Sequence, residues 1–411
     1  MAKTVALLGA LDTKGAEYAL VKACLEARGH RVLLIDVGVL GPPQLEPDVR
    51  RREVAEAAGA DLDQLVARKD RGEAVAAMAR GAEVLVPKLY AEGRFEAIMA
   101  LGGGGGTSVA CGAMRSLPLG VPKVMVSTVA GTDVSGYVGV KDVVMVPSIV
   151  DVAGINRISR EIFSKAAGAV AGMVETEVPP GEDKPLVAAT MFGNTTPCVE
   201  AAKAILEAAG YEVLVFHATG TGGRTMESLI EEGLIDGVLD VTTTEWADEL
   251  VGGVLAAGPT RLEAAARRGI PAVVAPGCLD MVNFWAPKTV PERFKDRRFY
   301  QHNPNITLMR TTPEENYKLG RILAAKLNRS TGPVSVLFPL AGLSMIDAAG
   351  GPFWWPEADR ALLAALKEDL RPEIPFIEID ANINDAEFAR RAAEALLAFL
   401  KNRQPSQRTT P

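Results

Sequence analysis

The sequence has few cysteines, and no two of them are close together. Its four cysteines stand far apart along the chain, as Cys24, Cys111, Cys198 and Cys278. Without a C-x-x-C pair the chain lacks the spacing of a local zinc knuckle, and 411 residues can form a core without disulfide staples. We therefore expect buried, reduced thiols and no metal held by cysteine.

A surplus of basic residues and a long apolar run are also missing. There are 44 Lys+Arg residues against 51 Asp+Glu, a net charge of −7, and the one basic run, Arg50–Arg52, is followed directly by Glu53. This balance argues against a nucleic-acid surface. No apolar run reaches the 18 residues of a membrane span, and the N-terminus has no leader pattern. We expect a cytoplasmic protein that binds neither nucleic acid nor membrane.

Short apolar runs do alternate with amphipathic helical patterns. An apolar strand at 4–9 precedes a helical pattern at 17–27, which Gly29 ends, and a second strand follows at 31–36. This alternation predicts an α/β fold in which helices cover both faces of a parallel sheet.

The same order of elements recurs after residue 184, with strands at 185–190 and 212–217 around a helix that Gly210 ends. We therefore predict two tandem doubly wound, Rossmann-like domains with a cleft between them, although generic βαβ units also resemble one another by chance. A Pro- and charge-rich linker at 175–184 places the N-terminal, nucleotide-binding domain at 1–180 and the C-terminal domain at 184–403. The tail at 404–411 is predicted to be disordered.

Five consecutive glycines, Gly102–Gly106, follow a predicted strand and precede a helical pattern that begins at Thr107. Each glycine costs about 0.5–1 kcal/mol relative to alanine in regular structure, so a bare backbone needs a reason. A polyphosphate on a helix N-terminus supplies one. The alternative is a tight turn beneath a close-packed neighbour. Neither the Walker A motif nor the G-x-G-x-x-G fingerprint fits this loop. A nicotinamide dehydrogenase is therefore the function that the sequence favours least.

The first βα loop offers partners for such a phosphate. Lys14 is a candidate counter-charge and Asp12 and Thr13 are candidate hydrogen-bonding groups, although the same three residues also suit an ordinary helix cap. Asp36 ends the second strand, where a ribose hydroxyl is often bound.

The second half of the chain carries a polar loop, His217–Arg224, that we interpret as a second glycine-rich anion cradle. His217 is either a general base or a buried structural histidine, whereas His30 is expected to face solvent. Glu245 shares a helix face with Asp248 and Glu249, which suits a divalent metal or, as we prefer, simply favourable acids at a helix N-terminus. No metal site is predicted. The catalytic candidates are His217, Arg224 and Glu245, and the further candidates for recognition of an anion or hydroxyl are Arg261, Arg310 and Asp280.

Several long motifs resemble one known family. They include "LDTKGAE", "LLIDVGVLGPP", "GGGGGT", "TMFGNTTPCVE", "VFHATGTGGRTMESLI" and "DVTTTEWADELVGGV", and the resemblance runs from about residue 4 to about 395. On these motifs the chain is identified as a member of the UPF0261 family, also called Tm-1-like ATP-binding domain proteins.

The resemblance implies a homodimer of two-domain α/β chains that bind ATP, with or without Mg²⁺, through the N-terminal domain. Carried over, the nucleotide site comprises Asp12, Thr13, Lys14, Arg51, Gly103, Gly104, Gly105, Gly106 and Thr107. Gly104 stands where the family loop usually has serine, so a hydroxyl contact to phosphate would be lost.

Three functions remain open from the sequence. The first is an ATP-binding protein or ATP-dependent enzyme that holds a small anionic metabolite near His217, Thr221, Arg224 and Glu245. The second is a nucleotide-independent enzyme that grips a sugar acid or similar metabolite with both glycine cradles. The third is a binding or scaffold protein that nucleotide locks. These motifs are compatible both with an enzyme and with a binding protein.

Overall fold

The computed structural model describes residues 2–401. These residues divide into two compact units on either side of the Pro180–Gly181 bond. Among the described residues, no helix is both long and apolar enough to cross a bilayer.

The described part of the first unit contains five strands and seven helices. The strands are β1 (Thr4–Gly9), β2 (Arg31–Asp36), β3 (Ala97–Gly102), β4 (Lys123–Ser127) and β5 (Val144–Pro147). The helices are α1 (Gly15–Glu26), α2 (Arg51–Ala57), α3 (Leu62–Arg68), α4 (Arg71–Ala91), α5 (Gly104–Arg115), α6 (Ser135–Val138) and α7 (Arg157–Glu175).

The strands of this unit form one parallel sheet in the order β2-β1-β3-β4-β5. Alternate residues point to opposite faces, so Leu7 packs on the α1 and α7 side while Leu8 packs on the α4 and α5 side. The chain leaves β1 toward β2 on one side and returns to β3 on the other. The carboxyl ends of β1 and β3 therefore flank the switch point, where ligands bind in open α/β sheets.

The described part of the second unit contains nine strands, seven α-helices and four short 3-10 helices. The strands are β6 (Leu186–Met191), β7 (Glu212–His217), β8 (Gly237–Thr242), β9 (Ala272–Gly277), β10 (Met281–Phe284), β11 (Phe299–Asn303), β12 (Ile306–Arg310), β13 (Val334–Pro339) and β14 (Phe376–Ile379). The helices are α8 (Thr196–Ala208), α9 (Thr221–Glu231), α10 (Glu245–Val251), α11 (Ala264–Arg268), α12 (Pro313–Leu327), α13 (Pro356–Asp369) and α14 (Ala386–Lys401).

The main sheet of the second unit is also parallel, in the order β14-β13-β9-β8-β6-β7. Read from the β7 edge, the order is β7-β6-β8-β9-β13-β14. This repeats the pattern of the first unit, β2-β1-β3-β4-β5, with one strand added at the end. The two units therefore share a topology, as the internal similarity predicted. The α/β prediction with two doubly wound parallel sheets is confirmed.

Two local features differ from the sequence prediction. A small antiparallel sheet, β10-β12-β11, follows β9 and was not predicted, since β11 is largely exposed and lacks an apolar run. His30 is buried, not exposed to solvent: its side chain lies beneath the end of α7, with Nε2 2.8 Å from Glu175 Oε1.

Candidate functional site

The glycine loop forms the start of α5. The helix begins at Gly104, three residues earlier than predicted, and Gly103 is its N-cap residue with φ −81° and ψ −169°. The first intrahelical bond in this turn runs from Thr107 N–H to the Gly103 carbonyl. The N–H groups of Gly104, Gly105 and Gly106 precede it, so they are the donors that a helix N-terminus leaves for an outside acceptor.

Nothing inside the unit requires Gly103–Gly106 to be glycine. None of the four has a positive φ. A Cβ added to Gly103, Gly104, Gly105 or Gly106 would meet its nearest neighbour at 3.7, 3.8, 3.9 or 3.7 Å, which are ordinary van der Waals contacts. Only Gly102 is tighter, at 3.1 Å from Gly106 Cα. The alternative of a tight turn under a close-packed neighbour is therefore wrong for Gly103–Gly106.

A cleft of about 670 Å³ adjoins these glycines at the carboxyl ends of β1 and β3. Its lining is partly aliphatic and partly polar. The aliphatic residues include Val37, Val39, Leu65, Val66, Val75, Met78 and Val109, and the polar residues and glycines include Asp12, Thr13, Lys14, Lys69, Asp70, Arg71, Gly103, Gly104, Gly105, Gly106 and Asp151.

Residues of the first βα loop, Asp12, Thr13 and Lys14, line this cleft. Lys14 is half-buried and its ammonium donates to the Val152 carbonyl, which leaves two of its three protons for another acceptor. Asp12 Oδ2 accepts from the N–H groups of Leu40 at 2.7 Å and Gly41 at 3.1 Å. Its Oδ1 atom is buried and has no hydrogen-bond partner among the described residues. Lys14 and Asp12 thus each keep unused hydrogen-bonding capacity at the cleft.

Asp36 and Arg51 do not line the cleft, unlike Asp12. Asp36 is fully buried, and its Oδ1 accepts from Leu11 N–H at 3.1 Å and Gly38 N–H at 2.8 Å. Burial, together with the nearby Asp12, raises the pKa of Asp36 above its usual value. The Arg51 guanidinium donates to the carbonyls of Gly38 and Gly41. Both side chains shape the loop after β2, and this placement does not support the predicted ribose contact of Asp36.

Thr107 also points away from the cleft. Its side chain is buried, with Oγ1 2.9 Å from the Gly103 carbonyl and 2.6 Å from Ser127 Oγ. This hydroxyl links the first turn of α5 to the end of β4 by hydrogen bonds. Because it is used in this way, any contact of the loop with a ligand comes from the glycine backbone.

Sequence reasoning missed two cations of the cleft, Lys69 and Arg71. They lie at the corner between α3 and α4, which Asp70 forms by accepting from Glu73 N–H as the N-cap of α4. An N-cap aspartate before an arginine is common in sequences, so nothing in the local pattern marks this corner as part of a site.

The predicted second cradle is filled by the chain itself. Glu245 Oε1 accepts from Gly220 N–H at 2.7 Å and Gly223 N–H at 3.1 Å. Gly220 has a φ of +81°, and a Cβ on Gly223 would lie 2.2 Å from Glu245 Oε2. Here the glycines are explained by internal structure, in contrast to Gly103–Gly106.

The remaining oxygen of Glu245 is also occupied. Oε2 accepts from Arg261 Nε at 2.7 Å, and the rest of that guanidinium binds Asp240 at 2.5 and 2.7 Å and Glu227 at 3.3 Å. All of Glu245, Asp240 and Arg261 are buried. Glu245 therefore holds α10, the 217–223 loop and Arg261 together, and both of its oxygens are used within the fold.

The other candidates of the second unit do not form one site, although Asp280 and Arg310 share a buried cluster. His217 is exposed at the end of β7, so the buried alternative is wrong, and Arg224 is exposed with Nη2 3.3 Å from Thr221 Oγ1. Asp280 is buried and accepts from Ser344 Oγ at 2.8 Å. Arg310 lies in the same buried cluster, where it binds Asp347 at 3.2 Å and Asp359 at 2.7 Å and opposes the rise in the pKa of Asp280 that burial causes. Among the described residues no three His, Cys, Asp or Glu side chains form a group that could hold a metal.

Comparison with known proteins gives the family. The N-terminal domain model of an uncharacterised protein family, UPF0261, matches residues 3–179, and its C-terminal domain model matches 184–400. A UPF0261 protein of Clostridium tetani is 51% identical over 98% of this chain and all of its own length. The ToMV resistance protein Tm-1 of Solanum lycopersicum is 43% identical over 80% of this chain and 44% of its own.

Among solved structures, the glycosyltransferase SnogD from Streptomyces nogalater aligns over 97% of this chain and all of its own, at 14% identity and a TM-score of 0.20. A likeness at that level carries no argument. The two family models and the relatives agree along nearly the whole sequence, and the chain belongs to the UPF0261 family.

Proposed function

We propose that the chain binds ATP in the cleft of its first unit, with the phosphates on the N-terminus of α5. The observation that carries this proposal is the run Gly103–Gly106, which neither backbone conformation nor internal packing requires. A ligand that approaches the backbone closely explains the run, and free N–H groups at a helix N-terminus favour an anionic one.

The size and lining of the cleft support a nucleotide. Its volume of about 670 Å³ lies within the roughly 300–1,000 Å³ typical of small-molecule sites. The aliphatic residues of the lining, such as Leu65 and Met78, suit a base and ribose, while the glycines and Lys14 suit phosphate. The choice of ATP among the nucleoside triphosphates rests on the family resemblance of the sequence motifs.

Mg²⁺ carried by the nucleotide would have a ligand in Asp12. Its Oδ1 is buried without a partner at the lining of the cleft. Mg²⁺ usually binds one or two carboxylates together with phosphate oxygens and water, so a cluster of three acidic residues is not needed. We expect Mg²⁺ to change ATP affinity through Asp12.

The alternative of a nucleotide-independent enzyme with two anion cradles receives less support. The cradle at 217–223 is filled by Glu245, so only the glycine loop of the first unit remains for an outside anion.

The test is calorimetric titration of the purified protein with ATP, with and without Mg²⁺, beside the melting temperature under the same conditions. We expect saturable binding and a raised melting temperature, and a weaker effect in Lys14→Ala. No heat and no shift at millimolar ATP would exclude the proposal. Phosphate release in the presence of small organic acids would then separate an ATP-dependent enzyme from a scaffold that nucleotide locks.

A further inference from the structure

We propose that Lys69 and Arg71 form a cationic clamp that binds the terminal phosphates of the nucleotide, in addition to Lys14. This inference rests on the proposed function and specifies it further: the ligand is a nucleoside triphosphate, recognised by its terminal phosphates. The clamp is defined by these two residues at the α3–α4 corner.

The α3–α4 corner lies beside the glycine loop. A Cβ added to Gly105 would be 3.9 Å from Val75 Cγ2, so α4 runs alongside the start of α5. Arg71 precedes Val75 by four residues, which places both on one face of α4. Arg71, Val75 and Gly105 all line the cleft. Arg71 is thus positioned to reach a phosphate that extends beyond the α5 N-terminus.

The backbone of Lys69 indicates that its side chain is used. Lys69 is the C-cap residue of α3 with φ 54° and ψ 23°, in the left-handed region. Glycine or asparagine usually occupies this position, because a Cβ is unfavourable there. A lysine that bears this strain, and whose exposed side chain lines the cleft, has a role that glycine could not perform.

Both cations are available to a ligand. In the described part of the chain neither Lys69 nor Arg71 takes part in an ion pair, whereas the adjacent Arg68 pairs with Glu73. The acidic residue between them, Asp70, is directed to Glu73 N–H at 2.9 Å. Unpaired guanidinium and ammonium groups at a cleft bind phosphate by charge-assisted hydrogen bonds.

The number and placement of the cations predict discrimination by phosphate count. Lys14 lies in the loop after β1 and the clamp lies at the α3–α4 corner, and all three cations line the cleft with the glycines. A monophosphate seated on the glycines is too short to gain much from the clamp. Each added phosphate extends the chain and its charge toward the clamp, so affinity should rise from AMP through ADP to ATP.

The experiment is calorimetric titration of wild type and variants with ATP, ADP and AMP at one fixed salt concentration. Arg71→Ala should weaken ATP binding by at least tenfold and AMP binding by less than twofold. Lys69→Gly should do the same while leaving the melting temperature unchanged or higher, since glycine relieves the left-handed strain. Arg80→Ala, which removes an exposed arginine of α4 outside the cleft, is the matched control and should bind all three as wild type does.

The outcomes separate the two claims. If wild type binds none of the three nucleotides, the proposed function fails. If wild type binds ATP and both clamp variants bind it equally well, the clamp is wrong and ATP binding stands. An equal loss of ATP and AMP affinity would also overturn the clamp, because it would place Lys69 and Arg71 at a part of the site that all three ligands share.

Discussion

The hydroxyl of Tyr18 accepts a hydrogen bond from the Leu101 backbone N–H at 2.9 Å. The same hydroxyl donates to the Leu8 carbonyl at 2.6 Å, so it bridges β1 and β3 where their ladder ends at the pair Leu8 and Ala100. Leu101 directly precedes the glycine loop. Tyr18, which lies in α1, therefore stabilises the strand ends that position the glycine loop of the candidate nucleotide site.

Tyr18→Phe should lower the free energy of unfolding of the first unit by about 1–3 kcal/mol, because it leaves the buried Leu101 N–H without an acceptor. Urea unfolding measures the change. Tyr90→Phe, in half-buried Tyr90 of α4, is the control and should change stability by less than about 0.5 kcal/mol. A Tyr18→Phe variant as stable as the control would show that the bridge contributes nothing.

Gly105→Ala should separate stability from ligand binding. In the first turn of α5 the added methyl meets no atom closer than Val75 Cγ2 at 3.9 Å. Stability should therefore rise by up to about 1 kcal/mol, while the methyl obstructs phosphate and weakens ATP binding at least tenfold. Thermal unfolding and calorimetry on the same samples measure both changes.

Gly168→Ala is the matched control for that variant, since Gly168 lies within α7 and its added Cβ meets open space. It should gain stability without loss of ATP affinity. A Gly105→Ala variant that binds ATP as wild type does would show that the glycine loop does not seat phosphate.

The sheets could be predicted from the sequence because parallel strands are buried on both faces and appear as short apolar runs. β1, β2 and β7 have the predicted bounds. The glycine loop could be located for the same reason, since it directly follows such a run. β11 could not be predicted, because most of its residues are exposed and its strand conformation depends on pairing with β12.

The difference between the two glycine loops could not be predicted from sequence. Both are glycine-rich and follow a strand, but one is filled by Glu245, which lies more than twenty residues further along the chain. Lys69 was missed for a similar reason, since only the packing of α4 beside α5 brings the α3–α4 corner to the glycines. Local sequence patterns therefore locate the glycine-rich loops, but tertiary contacts determine which loop keeps its backbone N–H groups available to a ligand.

Glu245→Ala should open the second cradle to small carboxylates. The substitution removes a buried partner of Arg261 and frees the N–H groups of Gly220 and Gly223, at a cost of about 3–5 kcal/mol in stability. Acetate can supply the missing carboxylate, so about 100 mM acetate should raise the melting temperature of the variant by several degrees.

Wild type and an equal concentration of chloride are the controls for acetate rescue. Wild type should respond equally to both salts, because its own carboxylate fills the cradle. If acetate and chloride also act alike on Glu245→Ala, the convergence of Gly220, Gly223 and Arg261 on one carboxylate is not a functional anion site.

Asp248 should make the stability of the second unit depend on pH. Burial raises the pKa of Asp248 to about 7, although Oδ1 accepts from the Leu255 and Asn283 N–H groups and Oδ2 from Asn283 Nδ2 at 2.6 Å. Because the folded state holds the proton more tightly than the unfolded state, this stabilisation is complete below about pH 4. The stabilisation decreases as pH rises to about 7, by roughly 1.4 kcal/mol for each pH unit and by at most about 4 kcal/mol in total.

Asp248→Asn should remove this dependence, so the free-energy difference between variant and wild type should shift in favour of the variant as pH rises from 4 to 7. The asparagine can keep the two backbone hydrogen bonds through its oxygen. Its amide N–H can bond Asn283 Oδ1, which is buried without a partner and becomes available when the Asn283 amide turns over. Urea unfolding at pH 4, 5, 6, 7 and 8 measures the difference. A constant difference across that range would show that Asp248 does not bind its proton more tightly in the folded protein.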